Sequence, residues 1–233
     1  MDGTGLLFDE FVVESPAEFR PVVLPLPNRG EYDELTDIIA AGIPSDGPFL
    51  VVAESFSGPI GIQLAGRFPD RVVGLVLVNS FVAPPRPRWL RWLPWRLILA
   101  LPPPRRVIRM LLAEKTTTDL VIDRIRASIA RTDISTISAR LQSILSLNEI
   151  QNLMLVRSPV LLLRGTADRL IPVECAEEIT QHALDITVRE IVAPHLLLQC
   201  HPAEAWFEIA DFVTTQLQQQ PKRVGVVDND AHK

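Results

Sequence analysis

With 233 residues, of which 47% are apolar and 22% charged, the chain can bury a sizeable core, which excludes a disordered protein. The formal net charge of −5 argues against nucleic acid as the main partner, and no run of about 18 apolar residues is free of charge, which argues against a transmembrane helix. The two cysteines, Cys175 and Cys200, give no disulfide framework and favour a reducing, cytoplasmic location.

Short apolar runs alternate with helical patterns along most of the chain. The runs have the composition of buried parallel strands and lie at residues 22–26, 49–52, 72–78, 160–163 and 186–192. The helical patterns that accompany them lie at residues 32–41, 59–68, 176–184 and 203–217. This alternation predicts an α/β fold with a mostly parallel sheet and helices on both of its faces.

The alternation stops within residues 83–157. Pro-rich and Arg-rich stretches there are followed by helical patterns at residues 120–129 and 137–147. We interpret residues 83–157 as a helical cap that is inserted into a core made of residues 1–82 and 158–219. Beyond that core, residues 220–233 are predicted to be a disordered tail.

The apolar run 49–52 ends in the sequence AESFSG, residues 53–58. This pattern predicts a sharp strand-to-helix turn that exposes the hydroxyl of Ser55 above the sheet, as in a nucleophile elbow. Such a turn needs small neighbours because the chain folds back on itself, and Ala53 and Ser57 are small. By itself the pattern also fits an ordinary turn with a helix-capping serine. For Glu54, a structural role is expected rather than that of a second acid.

Two further residues supply the base and the acid that a serine nucleophile needs. Asp168 follows the strand predicted at 160–163, and His195 follows the strand predicted at 186–192. Because the carboxyl ends of parallel strands meet at one edge of a sheet, we expect both side chains near Ser55.

The other histidines are poorer candidates for the base. His201 precedes Pro202 and is expected to be a helix-cap or surface residue, and His182 is expected on a solvated helix face. No group of His, Asp and Glu has the spacing of metal ligands, so no metal site is predicted. Nucleophilic catalysis by a serine with a base and an acid needs no cofactor, and none is predicted.

Taken together, these motifs resemble the α/β-hydrolase superfamily, and most of all a bacterial esterase-like branch. The resemblance is carried by DGTG at residues 2–5, by the turn at 53–58 and by PHLLLQ at residues 194–199. It covers nearly the whole chain outside the predicted cap and tail. It implies an α/β-hydrolase fold with an inserted cap.

The resemblance also implies a role for each site residue. Ser55 would be the nucleophile, His195 the general base and Asp168 the acid that orients it, with an oxyanion hole made by the backbone N–H groups of Phe56 and Met1. The implied activity is hydrolysis of a carboxylic ester or thioester through an acyl-enzyme on Ser55, with a small-molecule acyl ester as substrate. Acyl transfer and lactone hydrolysis use the same chemistry and stay open.

In one respect the sequence departs from the family pattern. The family has a central strand before the DGTG segment, between the strands represented here by residues 22–26 and 49–52, and the sequence begins after it. We expect either a longer gene product in which Met1 is internal, which we favour, or a true truncation. A truncated chain would be a catalytically impaired or non-catalytic binding protein.

Residues 84–110, which we call the arginine-tryptophan segment, contain seven arginines and three tryptophans but no acidic residue. One interpretation is a cap helix whose tryptophans line an acyl pocket. The other is a surface for an anionic membrane or an acidic carrier protein. The residues expected to form that surface are Arg86, Arg88, Arg91, Trp89 and Trp92.

Overall fold

The computed structural model describes residues 3–99, 103–113 and 117–219. Four parallel strands form a sheet at the centre of these residues. In order across the sheet they are β1 (Phe49–Glu54), β2 (Val72–Val78), β3 (Val160–Gly165) and β4 (Ile186–Ile191). The register pairs Val52 with Val76, Leu77 with Leu162, and Leu162 with Val188. Since every pair is parallel, the four carboxyl ends lie at the same edge of the sheet.

Helices precede, separate and follow the strands. The α-helices of the described residues are α1 (Asp9–Val13), α2 (Tyr32–Gly42), α3 (Gly58–Arg67), α4 (Trp95–Ile98), α5 (Arg105–Leu112), α6 (Asp119–Arg131), α7 (Ile134–Ser146), α8 (Ile150–Met154), α9 (Val173–His182), α10 (Leu197–Cys200) and α11 (Pro202–Gln219). Segments of 3-10 helix lie at Leu6–Phe8, Ser55–Ser57 and Arg88–Trp92. Within the described ranges, no helix combines the length and the apolar character needed to cross a bilayer.

The core lies on both faces of the sheet, because successive side chains of a strand point to opposite faces. In β2, Val76 and Val78 pack with Trp206 on the face covered by α1 and α11. Leu75 and Leu77 pack on the opposite face, which is covered by α3, α8 and α9. The prediction of a parallel sheet with helices on both faces is therefore confirmed.

The predicted strand at residues 22–26 is wrong, because this segment pairs with no strand among the described residues. Residues 21–27 contain three prolines, which lack the backbone N–H that a regular ladder requires. A backbone hydrogen bond from the N–H of Leu26 to the carbonyl of Gly3, at 2.8 Å, ties the segment to the loop that resembles the DGTG motif. The other four predicted strands are observed.

Between β2 and β3 the described residues form helices and no strand. This observation agrees with the helical content predicted for residues 83–157, whereas the division of the chain into core and cap stays a prediction. The predicted tail, residues 220–233, lies outside the described residues.

A buried arginine on α7 joins these helices to the core. Arg140 is fully buried, and its Nε donates a hydrogen bond to the carbonyl of Arg29 at 2.9 Å. Its Nη2 donates to the carbonyl of Pro27 at 2.6 Å. A buried charge is tolerated only with polar partners, and these two carbonyls are such partners for Arg140. The bonds also fix α7 against the loop that precedes α2.

Strand β1 pairs with β2 along one of its edges, and no other described strand pairs with its second edge. This second edge is where the family pattern expects a further strand. Backbone N–H and C=O groups along an unpaired edge are left to bind water or another chain. The strand that delivers Ser55 is therefore less protected than β2 and β3.

We predict an alternating pattern of amide hydrogen exchange along β1. Successive N–H groups of a strand point to opposite edges, so those that face β2 should exchange slowly and those that face the open edge should exchange faster. In β2 and β3, which are paired on both edges, slow exchange is expected throughout. Residue-resolved exchange measured by NMR checks this. Uniform protection along β1 would mean that another strand covers its second edge in solution.

Candidate active site

Ser55 lies at the turn between β1 and α3 with a φ of 56°. A positive φ is uncommon outside glycine and persists where the surrounding packing enforces it. Two glycines allow α3 to pack this closely: an added Cβ would lie 1.7 Å from Ser80 Oγ at Gly58 and 2.8 Å from Ala53 Cβ at Gly61. The sharp strand-to-helix turn that the sequence predicts is therefore present.

The side chains of Ser55, His195 and Asp168 form a continuous hydrogen-bonded chain. His195 Nε2 lies 2.9 Å from Ser55 Oγ, and His195 Nδ1 lies 2.8 Å from Asp168 Oδ2. The side chains of His195 and Asp168 are 3% and 5% exposed, whereas Ser55 is half-buried. An ionised carboxylate only accepts hydrogen bonds, so Asp168 selects the tautomer with its proton on Nδ1. Nε2 is then left to accept the proton of the serine hydroxyl.

The carboxylate of Asp168 is oriented by the main chain of its own loop. Its Oδ1 accepts hydrogen bonds from the N–H groups of Leu170 at 2.7 Å and Ile171 at 3.1 Å. These two bonds prevent rotation of the carboxylate and keep Oδ2 directed at His195.

Asn79 joins three strand ends and is absent from the site that the sequence predicts. It is buried directly after β2 with a φ of 44°. Its Nδ2 donates to the carbonyls of Pro194 at 3.1 Å and His195 at 2.8 Å, and its Oδ1 accepts from the N–H of Gly165 at 2.7 Å. The available signal was a polar residue immediately after a buried apolar strand.

Glu54 connects the turn at Ser55 to the chain that follows His195. It is 8% exposed and ends β1. Its Oε1 accepts from the N–H of Leu198 at 3.1 Å, and its Oε2 accepts from the side-chain amide of Gln199 at 2.8 Å. These bonds to α10 give the carboxyl a structural role, because they fix the loop of His195 against the turn at Ser55.

A comparison with family models matches residues 4–214 to the model described as the alpha/beta hydrolase family. The chain belongs to the alpha/beta hydrolase family. The match spans β1 to β4, the turn at Ser55 and the loops of Asp168 and His195. The fold class inferred from the sequence motifs is thereby confirmed.

Solved structures of other proteins share this alpha/beta hydrolase fold. A thermophilic esterase from Thermogutta terrifontis is 20% identical over 91% of this chain and 86% of that chain, with a TM-score of 0.74. The enol-lactonase from Burkholderia xenovorans LB400 is 18% identical over 92% and 88%, with a TM-score of 0.71. MenH from S. aureus is 13% identical over 93% and 91%, with a TM-score of 0.74. A search of curated proteins found no match.

Phe56 follows Ser55 in the 3-10 turn that opens α3 of this alpha/beta hydrolase. Its N–H occupies a position near a helix start, where backbone donors have no acceptor within the helix. The buried ring of Phe56 lies 4.9 Å from that of Tyr32 and 5.4 Å from the guanidinium of Arg140, which fixes the peptide in place. Met1, the second predicted oxyanion donor, lies outside the described residues.

The remaining histidine candidates are engaged elsewhere. His201 Nδ1 lies 3.0 Å from Glu204 Oε1, and His182 Nδ1 lies 2.8 Å from the carbonyl oxygen of Glu178. Ser55 is hydrogen-bonded to His195 instead. In the ranges that the structure describes, no group of three or more His, Cys, Asp or Glu side chains is arranged to hold a metal ion.

We predict that Glu54 makes stability depend on pH. Burial raises the pKa of its carboxyl above the ordinary value of 4.5, against the opposing effect of the hydrogen bonds from Gln199 and Leu198. The folded state then binds the proton more readily than the unfolded state. The contribution of Glu54 to the free energy of unfolding is therefore fully present below about pH 4.5 and is lost as the pH rises through the folded-state pKa.

Glu54→Gln should remove this dependence and keep the hydrogen bonds to α10. Rotation of the Gln199 side-chain amide turns its Oε1, which is buried without a partner among the described residues, toward the new amide N–H. The melting temperature of the Glu54→Gln variant minus that of the unmodified protein should therefore increase from acidic to neutral pH. Glu18→Gln, at an exposed glutamate, is the matched control. A difference in melting temperature that does not vary with pH would contradict the prediction.

Proposed function

We propose that this alpha/beta hydrolase is a serine hydrolase that cleaves a carboxylic ester or thioester through an acyl-enzyme on Ser55. The hydrogen-bonded chain from Asp168 Oδ2 through His195 to Ser55 Oγ supports the proposal. In this chain of contacts the acid orients the base and the base contacts the nucleophile, which is the arrangement that acyl transfer requires.

In the proposed reaction, Ser55 Oγ attacks the carbonyl carbon of the substrate while His195 Nε2 takes the hydroxyl proton. Asp168 stabilises the imidazolium that forms, and the N–H of Phe56 donates to the developing oxyanion. The imidazolium then protonates the leaving alkoxide or thiolate, which leaves the acyl group on Ser55. Water then attacks the acyl carbon while His195 Nε2 takes one of its protons. The bond between the acyl carbon and Ser55 Oγ breaks, the imidazolium returns the proton to Oγ, and the carboxylic acid is released.

The proposed substrate is a small or medium acyl ester. Among the proteins with similar folds, one is named an esterase and one an enol-lactonase, in keeping with a carboxyl derivative as electrophile. No cofactor takes part in the proposed steps. A cytoplasmic location belongs to the same proposal and is supported by the two cysteines, which give no disulfide framework.

A second candidate is a binding protein on the same fold with little or no catalytic activity. The second edge of β1, with which no other described strand pairs, favours it, because this strand positions Ser55 and an unpaired edge holds it less firmly. A fluorophosphonate probe distinguishes the two candidates, since it labels an activated serine. Labelling at Ser55 supports the hydrolase. A folded protein that stays unlabelled supports the binding protein.

We predict that Ser55→Ala abolishes hydrolysis of short p-nitrophenyl esters. Members of a triad act as a unit, so kcat should fall on the order of 10⁴–10⁶-fold. The measurement is steady-state hydrolysis, with circular dichroism as the check that the variant is folded. Retention of more than roughly a tenth of the activity would be incompatible with a role for Ser55 as nucleophile.

We also predict that the two histidines behave differently. His195→Ala should lose about as much activity as Ser55→Ala, because the base and the nucleophile act together. His201→Ala, six residues along the chain, is the matched control and should retain most of the activity, since its ring contacts Glu204. If His201→Ala were the inactive variant and His195→Ala the active one, the base would be His201.

A further inference from the structure

The arginine-tryptophan segment, residues 84–110, exposes two of its tryptophans. Trp89 is 63% exposed and Trp92 is 77% exposed, and because three residues complete a turn of 3-10 helix, the two indoles lie on the same side. Leu97 and Ile98 in α4 are exposed as well. Large apolar side chains exposed in one short stretch mark a surface that contacts a membrane or a protein. At these positions they do not line a closed acyl pocket.

The charges in this segment are of a single sign, because it has seven arginines and no acidic residue. Arg105 and Arg109 form ion pairs with aspartates of α6, each at 2.6 Å. Arg86 and Arg88 line a groove of about 640 Å³ together with three glutamates of α9, which balance part of their charge. The other three have no acidic partner within the described residues: Arg91, Arg96 and Arg106.

The segment contacts one loop of the proposed catalytic site, and the residues directly after the segment contact the other. At its beginning, Arg86 Nη2 donates to the carbonyl of Leu170 at 2.9 Å, two residues beyond the acid. Just past its end, the carbonyl of Leu112 accepts from the N–H of Leu196 at 3.0 Å, directly after the base. The exposed apolar and cationic side chains are thus carried by a part of the chain that contacts the site.

We propose that the arginine-tryptophan segment binds the surface of an anionic phospholipid membrane and holds the site close to acyl esters in that membrane. The substrate part of this inference rests on the proposed ester hydrolysis, whereas the binding does not. Indole rings and aliphatic side chains insert at the level of the head groups, and arginines bind the phosphates there. An acidic protein would need an apolar surface of its own to cover Trp89, Trp92, Leu97 and Ile98, whereas an anionic membrane supplies phosphates and an apolar interior together.

The test is co-sedimentation of the full chain with vesicles made of equal parts phosphatidylglycerol and phosphatidylcholine. Binding should be strong at low salt and weaken as salt is added, since exposed charges are screened over about 10 Å at 0.1 M. Vesicles of phosphatidylcholine alone should bind much less. The fluorescence of the exposed tryptophans should shift to the blue in the anionic vesicles, because the indoles leave water.

Two sets of substitutions separate specific binding from a general charge effect. Arg91→Gln, Arg96→Gln and Arg106→Gln together should weaken binding roughly a hundredfold, as expected for three basic side chains near a membrane surface. The matched control removes three exposed arginines outside the segment, Arg20→Gln, Arg131→Gln and Arg157→Gln, and should bind nearly as well as the unmodified protein. Neither set should change turnover of a water-soluble ester.

Trp89→Ala and Trp92→Ala together should also weaken vesicle binding. The same variant should bind poly-glutamate as the unmodified protein does. If poly-glutamate bound as tightly as anionic vesicles, and if the tryptophan substitutions had no effect on vesicle binding, the surface would be one for an acidic protein. Absence of vesicle binding at low salt, or equal losses in the two arginine sets, would overturn the proposal.

Ser55→Ala protein should bind anionic vesicles as the unmodified protein does. This variant keeps a failure of membrane binding distinct from a failure of catalysis. A protein that hydrolyses soluble esters but does not bind vesicles contradicts only the membrane proposal. A protein that binds vesicles and lacks esterase activity contradicts only the proposed function.

Discussion

The close packing of α3 against β1 and β2 is the constraint on which the site depends. It forces the chain to reverse within the residues around Ser55, whose φ of 56° lies in the left-handed region. A residue held there costs on the order of 1–3 kcal/mol, so the packing around it must supply more than this. Gly58 and Gly61 make that packing possible, because a side chain at either position would collide with Ser80 or Ala53.

Buried polar side chains then place the other loops relative to this turn. Asn79 bonds to the main chain at the end of β3 and in the loop of His195, and Glu54 bonds to α10 just beyond that loop. Each buried polar group left without its partner costs about 1–3 kcal/mol, so these bonds are harder to break than exposed ones. The loops that carry Ser55, Asp168 and His195 are therefore held together by buried neighbours outside the proposed triad.

Much of the fold could be predicted from the sequence because its signals are local. The runs that became β1, β2 and β3 are largely apolar without alternation, as strands covered on both faces require, whereas β4 also contains Thr187, Arg189 and Glu190. The segment 22–26 is similarly apolar, but a strand there would need a neighbouring strand to pair with. Pro25 within it, and Pro21 and Pro27 on either side, also lack the backbone N–H that pairing uses. The prolines are visible in the sequence, whereas the position of a neighbouring strand is not.

The candidate site was predictable in part for a similar reason. Ser55, Asp168 and His195 each follow a strand, and parallel strands end at one edge, so their proximity follows from topology. The roles of these residues stay predictions. Asn79 also follows a strand, yet its contacts lie on loops far away in sequence, and no local pattern encodes them. The exposure of Trp89 and Trp92 depends in the same way on packing between distant segments.

The backbone at Ser55 has a consequence for how the chemistry of this fold can diversify. A left-handed residue has little room around Cβ, and a β-branched side chain such as threonine places two heavy atoms there. A secondary alcohol is therefore a poor replacement at this turn unless α3 moves away from the sheet. Cysteine and aspartate carry one γ substituent, and aspartate is among the residues that tolerate this backbone region. The backbone at this position therefore accepts a thiol or a carboxylate by a single substitution, and it does not accept threonine.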